Sequence, residues 1–121
     1  MSSATVIQVE HIGSIDVVVV PLPTCIDGST GLEICQTLLR RIDWGYSHLL
    51  LDCSRVHSVD GSVLRALASV FQKYCLQAGS LTLFGASTEV QLALHLDGLS
   101  EVIPHFTDQQ TAIANLKSRW F

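Results

Sequence analysis

The pattern of apolar positions predicts five strands, two before the first helix and three further along the chain. The short link between the first two predicts an antiparallel hairpin, because both runs are rich in β-branched or alternating apolar residues. The third run is apolar at successive positions, which predicts a central strand covered on both faces. The strands are expected at residues 6–10, 17–22, 48–53, 81–84 and 102–103.

Apolar residues three and four positions apart predict four helices. Thr30 and Glu33 have the spacing of a capping box, so the first helix is expected to begin at Thr30. Thr107 and Gln110 have the same spacing and are expected to open the last helix, which runs to about Lys117. A short third helix is expected to begin at residues 87–89. The core-facing residues of the first two helices are expected to be Leu32, Cys35, Leu38, Leu39, Ile42, Leu64, Leu67, Ala68, Phe71, Tyr74 and Cys75.

The turn that opens the second helix is the most distinctive local feature. Asp60 precedes the helix expected over residues 61–77, and its side-chain oxygen is expected to accept a hydrogen bond from the N–H of Ser62 or Val63. The unpaired N–H groups of a helix start suit a phosphate, a carboxylate or a partner's acidic side chain. At the other end, Gly79 is expected to end the helix in the left-handed conformation.

The order of these elements is strand, strand, helix, strand, helix, strand, helix, strand, helix. Such alternation with short connections predicts an α/β domain with a mixed, mostly parallel sheet of four to five strands, an N-terminal antiparallel hairpin and about four helices. The sequence contains no internal repeat or linker. A single domain over residues 1–121 is therefore expected.

Composition narrows the classes of function. Of 121 residues, 48% are hydrophobic and 15% are charged, so a disordered chain is excluded. The net charge is −4 and the sequence has no basic cluster, which argues against nucleic acid and anionic membrane as ligands. The four cysteines have no CxxC spacing and three fall at apolar positions of predicted elements, which favours buried free thiols in a reduced compartment. No signal peptide or bilayer-length apolar segment is evident, which predicts a cytoplasmic protein without membrane insertion.

Motifs for catalysis, cofactors or metals are absent from the sequence. It has no GxGxxG, no GxxxxGK[ST] and no G-x-S-x-G elbow, and its five histidines are scattered, which favours loop or surface positions over metal ligation. Asp52, His57 and Ser62 lie near one strand end, but nothing in the sequence indicates triad geometry. Asp52 is expected either to bind a ligand at the end of a parallel strand or to cap the loop over residues 54–58. Leu94, Leu96 and Leu99 are interpreted as core residues, with an exposed partner patch as the alternative.

Residues 49–67, with the sequence LLLDCSRVHSVDGSVLRAL, resemble the STAS domain family. In that family an apolar strand ends in Asp-Leu-Ser, a second Asp follows, and Ser-Ser-Gly-Leu or Ser-Thr-Gly-Leu opens a helix. Asp27 and Thr30 match the family's Asp-x-x-Thr at the start of the first helix, and the turn at residues 96–99 fits the same template. The resemblance covers roughly residues 6–116.

The resemblance implies a non-enzymatic anti-sigma-factor antagonist in a bacterial partner-switching pathway of transcription regulation. Its expected partner is an anti-sigma factor or a serine kinase, bound by the protein as a monomer or homodimer without a cofactor. In the family, phosphorylation of the Ser after the second Asp breaks the complex, because a phosphate brings about −1.5 to −2 charges to the contact surface. The expected partner-binding residues are Asp27, Thr30, His57, Ser58, Asp60, Gly61, Ser62 and Arg65.

The sequence departs from the family pattern where the phosphorylated Ser is expected. Gly61 occupies that position and has no hydroxyl, Ser62 matches the second hydroxyl position, and Val63 replaces the usual Gly. Three interpretations stay open: a permanently binding-competent antagonist, phosphorylation of Ser62 or Ser58 instead, or a binding module outside sigma regulation. Alternative functions are a cytoplasmic accessory subunit of a lipid ABC transporter and a stressosome-type scaffold.

Overall fold

The computed structural model describes residues 8–12, 15–43, 45 and 48–120, with side chains from residue 17 to 118 within those ranges. A five-stranded sheet has the order β1-β2-β4-β6-β7, and a second sheet is formed by β3 and β5. Within these ranges, only β1 and β2 pair antiparallel, and the other pairings are parallel. The strands are β1 Gln8–Ile12, β2 Ile15–Pro21, β3 Cys25–Ile26, β4 His48–Asp52, β5 Ser58–Val59, β6 Ser80–Phe84 and β7 His105–Phe106.

Four helices cover the larger sheet on both faces. They are α1 Gly28–Asp43, α2 Gly61–Leu76, α3 Thr88–Leu96 and α4 Gln109–Trp120, with a 3-10 turn at Leu99–Glu101. Leu49 and Leu51 of β4 share a buried cluster with residues of α1, α2 and α3, whereas Leu50 belongs to a second cluster with residues of α4. Successive side chains of a strand point to opposite faces. Three helices therefore pack on one face and α4 on the other, which confirms the α/β class and the doubly covered central strand.

Two helix starts differ from the capping-box predictions. α1 begins at Gly28, where the Asp27 carboxylate accepts a hydrogen bond from the N–H of Thr30 at 2.9 Å. α4 begins at Gln109, and the Asp108 carboxylate accepts one from the N–H of Thr111 at 2.8 Å. The predicted caps at Thr30 and Thr107 are wrong because an Asp next to the first helical turn already supplies the acceptor.

The end of α2 and the last strand also differ from the sequence prediction. Ala78, with φ of 58°, takes the left-handed conformation that was expected of Gly79. Gly79 donates its N–H to the carbonyl of Tyr74 at 2.8 Å, which closes the helix as in a Schellman motif. The strand predicted at residues 102–103 is wrong, because the chain there leaves the 3-10 turn. The last strand is β7, and it follows Pro104, whose carbonyl accepts the N–H of Leu83 at 2.9 Å.

Several side chains lie on a different face of their helix than predicted. In α1 the buried row is Gly31, Cys35 and Leu38, so Leu32 is 60% exposed and Leu39 is exposed as well. In α2 the buried row is Val63, Leu64, Leu67, Val70 and Tyr74, which leaves Cys75 exposed. Leu94 and Leu99 are core residues, but Leu96 is exposed.

The cysteines and histidines divide between core and surface. Cys35 and Cys53 are buried, and burial raises the pKa of the Cys53 thiol to about 12. Cys25 and Cys75 are exposed, so the prediction of buried thiols is wrong for these two. His48 is buried with its Nδ1 2.9 Å from the Ser80 hydroxyl, and the partly buried His105 accepts the N–H of Ala86 through Nε2 at 3.2 Å. The prediction of loop or surface histidines is therefore wrong for these two, and burial lowers the pKa of both imidazoles. His57 and His95 are exposed as predicted, and the side chain of His11 lies outside the described residues.

Candidate functional site

A short parallel ladder brings two loops of the predicted site together. Cys25 of β3 pairs with Ser58 of β5, and Ile26 pairs with Val59. The N–H of His57 donates to the Thr24 carbonyl at 2.7 Å, and the N–H of Asp60 donates to the Ile26 carbonyl at 3.0 Å. The start of α1 and the start of α2 are therefore fixed side by side at the C-terminal side of β4.

The loop before α1 is closed by its own side chains. The Asp27 carboxylate accepts the N–H of Thr30 at 2.9 Å and the hydroxyl of Ser29 at 3.1 Å. The Asp27 carbonyl accepts the N–H of Gly31 at 2.8 Å. These hydrogen bonds favour the charged carboxylate, so the pKa of Asp27 is lowered, mainly by the backbone N–H of Thr30.

The start of α2 is built differently from its sequence prediction. Asp60 occupies the N-cap position with extended backbone angles, φ −67° and ψ 144°, but its side chain makes no capping hydrogen bond. Its carbonyl instead accepts the N–H of Val63 at 3.0 Å and of Leu64 at 3.3 Å. The predicted side-chain cap is therefore wrong, and the exposed Asp60 side chain is not used to cap the helix.

The two helix starts are packed tightly against each other behind this surface. A Cβ built on Gly31 of α1 would lie 2.3 Å from Cγ2 of Val63 in α2, far inside van der Waals contact. Val63 is buried, and α1 and α2 contact each other. The close approach requires a residue without a side chain at position 31. The apolar pattern of the sequence did not predict this pair, although a Gly inside a helical pattern is the signal of such a contact.

The front of the surface has room for additional atoms. A Cβ built on Gly61 would have the guanidinium of Arg65 at 4.0 Å as its nearest neighbour. Gly61 is not in the positive-φ region, so a side chain there is free of backbone strain. Gly61 and Ser62 are both exposed at the first turn of α2.

The predicted site residues share this surface with one partial exception. Asp27, His57, Ser58, Asp60, Gly61, Ser62 and Arg65 are exposed, whereas Thr30 is half-buried at the first turn of α1. Asp52 lies behind them at the end of β4, where its carboxylate accepts the N–H of Ser54 at 2.9 Å. Asp52 thus caps its loop, the simpler of the two sequence interpretations.

Catalytic or metal-binding geometry does not emerge among the described residues. Within them, no hydrogen bond links Asp52, His57 and Ser62, and no group of three or more His, Cys, Asp or Glu side chains is placed to hold a metal ion. No helix in the part of the chain that the structure describes combines the length and apolar composition needed to cross a bilayer. The arrangement offers exposed backbone, hydroxyl and charged groups of both signs, which suits contact with another macromolecule.

Comparison with known proteins relates this architecture to a family model and to solved structures. The family model described as STAS domain matches residues 6–112. The fold is similar to the anti-sigma factor antagonist SpoIIAA in its unphosphorylated form, at 18% identity and a TM-score of 0.75 over 93% of this chain and 97% of that chain. It is similar to the phosphorylated Bacillus SpoIIAA at 18% identity and a TM-score of 0.67 over 92% and 99%.

An anti-sigma factor antagonist from Mycobacterium paratuberculosis has a similar structure, with 20% identity and a TM-score of 0.75 over 97% of this chain and 99% of that chain. At these identities the structural likeness concerns the fold. No curated protein matches the sequence significantly.

Proposed function

Because the chain belongs to the STAS domain family, we propose that it is a non-enzymatic, cytoplasmic partner-switching module that binds an anti-sigma factor or a serine kinase. Its docking surface consists of Asp27, Thr30, His57, Ser58, Asp60, Gly61, Ser62 and Arg65. The ladder between β3 and β5 is the observation that supports this best, because it holds the loops before α1 and α2 in one rigid surface. A partner can then contact both loops without ordering either, which reduces the entropy cost of binding.

The charges of the docking surface favour a polar interface. Asp60 keeps a carboxylate that is not used in capping, and Arg65 follows one helical turn later. A carboxylate and a guanidinium at the rim of a contact select partners of complementary charge and raise the association rate. Arg65 is the stronger candidate for a specific contact because its guanidinium can form two parallel hydrogen bonds with a partner's carboxylate.

Gly61 distinguishes this surface from the family's phosphorylation switch. We infer that the protein is a permanently binding-competent antagonist, since residue 61 lacks a hydroxyl that could accept phosphate. Ser62 and Ser58 are exposed and remain the alternative acceptors. Ser62 projects about 100° around the helix axis from residue 61. A kinase that positions a nucleophile at residue 61 would therefore meet Ser62 in the wrong direction.

Calorimetric titration against the anti-sigma factors and serine kinases of the same genome tests the docking surface. One of them should bind the wild type, and Arg65→Glu or Ser62→Glu should weaken that binding by about tenfold or more. Lys117→Glu and Ser118→Glu are matched controls, because they make the same charge changes at exposed positions of α4 on the opposite face of the sheet. Equal losses in the control variants would contradict the docking surface.

Intact-mass measurement after incubation with the bound kinase, ATP and Mg²⁺ tests the role of Gly61. The wild type should keep its mass, and Gly61→Ser should gain one phosphoryl group and release the partner. A phosphoryl group on Ser62 or Ser58 of the wild type would overturn permanent competence. Absence of binding to every candidate, together with a very large particle on size exclusion, would replace the antagonist proposal by the scaffold alternative.

A further inference from the structure

An apolar stripe lies exposed on α3 and the turn after it. Leu92 is 56% exposed and Leu96 is 77% exposed, and they lie one turn apart on the helix. Val102, which is 48% exposed, follows the 3-10 turn that packs against α3. The other side of α3 is committed to the core through Val90 and Leu94. A stripe of this kind on one side of a surface helix is typical of a contact site.

The fully charged residues in the same segment as the stripe are all acidic. Glu89 lies three residues before Leu92 and seven before Leu96, in line with them on the helix, and Asp97 and Glu101 follow. All three carboxylates are exposed. No Lys or Arg occurs between Lys73 and Lys117. We name Glu89, Leu92, Leu96, Asp97, Glu101 and Val102 the α3 face.

We propose that the α3 face binds a basic amphipathic helix of a partner protein. Leucine side chains of such a helix would cover the stripe, while its Lys or Arg side chains would meet the three carboxylates. A second copy of the chain fits less well, because a two-fold contact places the same patch of both copies together and brings carboxylate against carboxylate.

The α3 face lies next to the docking surface, but the proposal for the α3 face does not require the proposed function to be correct. α3 contacts β5, the strand that leads into Asp60 and Gly61. A partner that covers the docking surface could therefore extend a basic helix onto α3. The α3 face would nevertheless bind such a helix whether or not the protein takes part in sigma regulation.

A synthetic helical peptide of leucine and lysine is the probe, and the same peptide with glutamate in place of lysine is its control. Titrated into the ¹⁵N-labelled protein, the lysine peptide should shift the amide resonances of α3 and the 3-10 turn. The double substitution Leu92→Ser and Leu96→Ser should weaken binding by about tenfold or more, because two apolar contacts are lost. Leu32→Ser, at an equally exposed leucine of α1, should leave the affinity unchanged.

Charge reversal provides a second test that keeps the stripe intact. Glu101→Lys should weaken the lysine peptide and improve the glutamate peptide, while Asp60→Lys, the same charge change at the docking surface, should not weaken the lysine peptide. Equal binding of both peptides to the wild type, shifts confined to other elements, or full affinity in the double variant would overturn the proposal. A loss with Asp60→Lys instead would assign the peptide to the docking surface and overturn the α3 face as its site.

Discussion

The two helix starts at the docking surface have nearly the same sequence and different hydrogen bonds. Asp27-Gly28-Ser29-Thr30 opens α1, and Asp60-Gly61-Ser62-Val63 opens α2. In the first, the carboxylate takes the N–H of the fourth residue; in the second, the backbone carbonyl of Asp60 takes it. The Val63 N–H is bonded to the Asp60 carbonyl, so it is not available to the Asp60 carboxylate. The first start is therefore closed by its own side chains, and the second leaves its carboxylate exposed and unused in capping.

The largest expected effect comes from forcing the two starts apart. Gly31→Ala places a Cβ 2.3 Å from Cγ2 of Val63, and it should lower the free energy of unfolding by about 2 kcal/mol, as overpacking does in a core. Urea denaturation measures the loss. Gly28→Ala is the matched control, because a Cβ there has no neighbour within 4 Å. If Gly31→Ala were as stable as Gly28→Ala, the two starts would not be in close contact.

Removing each carboxylate separately tests whether the two aspartates differ as described. Asp27→Ala should lower Tm by roughly 5 °C because the N–H of Thr30 loses its acceptor. Asp60→Ala should change Tm by about 1 °C at most, since the Asp60 side chain makes no capping bond. Thermal unfolding followed by circular dichroism gives both values. Equal losses would show that Asp60 also caps its helix in solution.

Acid titration examines the same difference through protonation. The folded-state pKa of Asp27 lies below its ordinary value of 3.8, because N–H and hydroxyl donors stabilise its charged form. The stability that this carboxylate contributes is therefore complete above 3.8 and is lost as the pH falls through the lower folded pKa. NMR titration of the Asp27 side chain should give the depressed pKa. In Asp27→Asn, the stability lost over that acidic range should be smaller than in the wild type.

The smallest expected effect is that of Gly61→Ser on stability. The nearest neighbour of a Cβ there is the Arg65 guanidinium at 4.0 Å, so no clash arises. Restricting the unfolded chain should raise the free energy of unfolding by about 0.5 kcal/mol. Urea denaturation of the variant measures it. A clear loss of stability would mean that position 61 is too confined for a side chain, and the inference about phosphate acceptance would have to be revised.

The periodicity of apolar residues was sufficient to predict the architecture, because the packing of helices and strands follows from which of their faces are apolar. The doubly apolar run of β4 predicted its central place, and the alternation of elements predicted the parallel sheet. The angular phase of α1 was wrong, since a buried glycine at position 31 carries no hydrophobic signal and shifted the predicted face toward Leu32. The strand predicted at residues 102–103 failed for a related reason, because two apolar residues do not distinguish a strand from a turn that buries only Ile103.

At the site, the sequence placed the predicted residues together, but it did not predict the hydrogen bonds between and within the two loops. The resemblance brought Asp27 and Asp60 into one interface, and the ladder of β3 and β5 agrees with that placement. Two-residue strands leave no periodic pattern, so the ladder itself was not predictable. Which oxygen of Asp60 accepts the N–H of Val63 depends on backbone angles that the residue type does not determine.

Burial of two of the four thiols has a practical consequence for labelling. At neutral pH the Cys53 thiol, with a pKa of about 12, stays protonated and shielded, and the buried Cys35 thiol has a raised pKa as well. Because the thiolate is the nucleophile, maleimide dyes should react first with the exposed Cys25 and Cys75. Cys25 lies in β3 beside the docking surface, and Cys75 lies at the far end of α2. The native chain therefore offers one fluorophore position beside the proposed docking surface and a distant one that can serve as its internal reference.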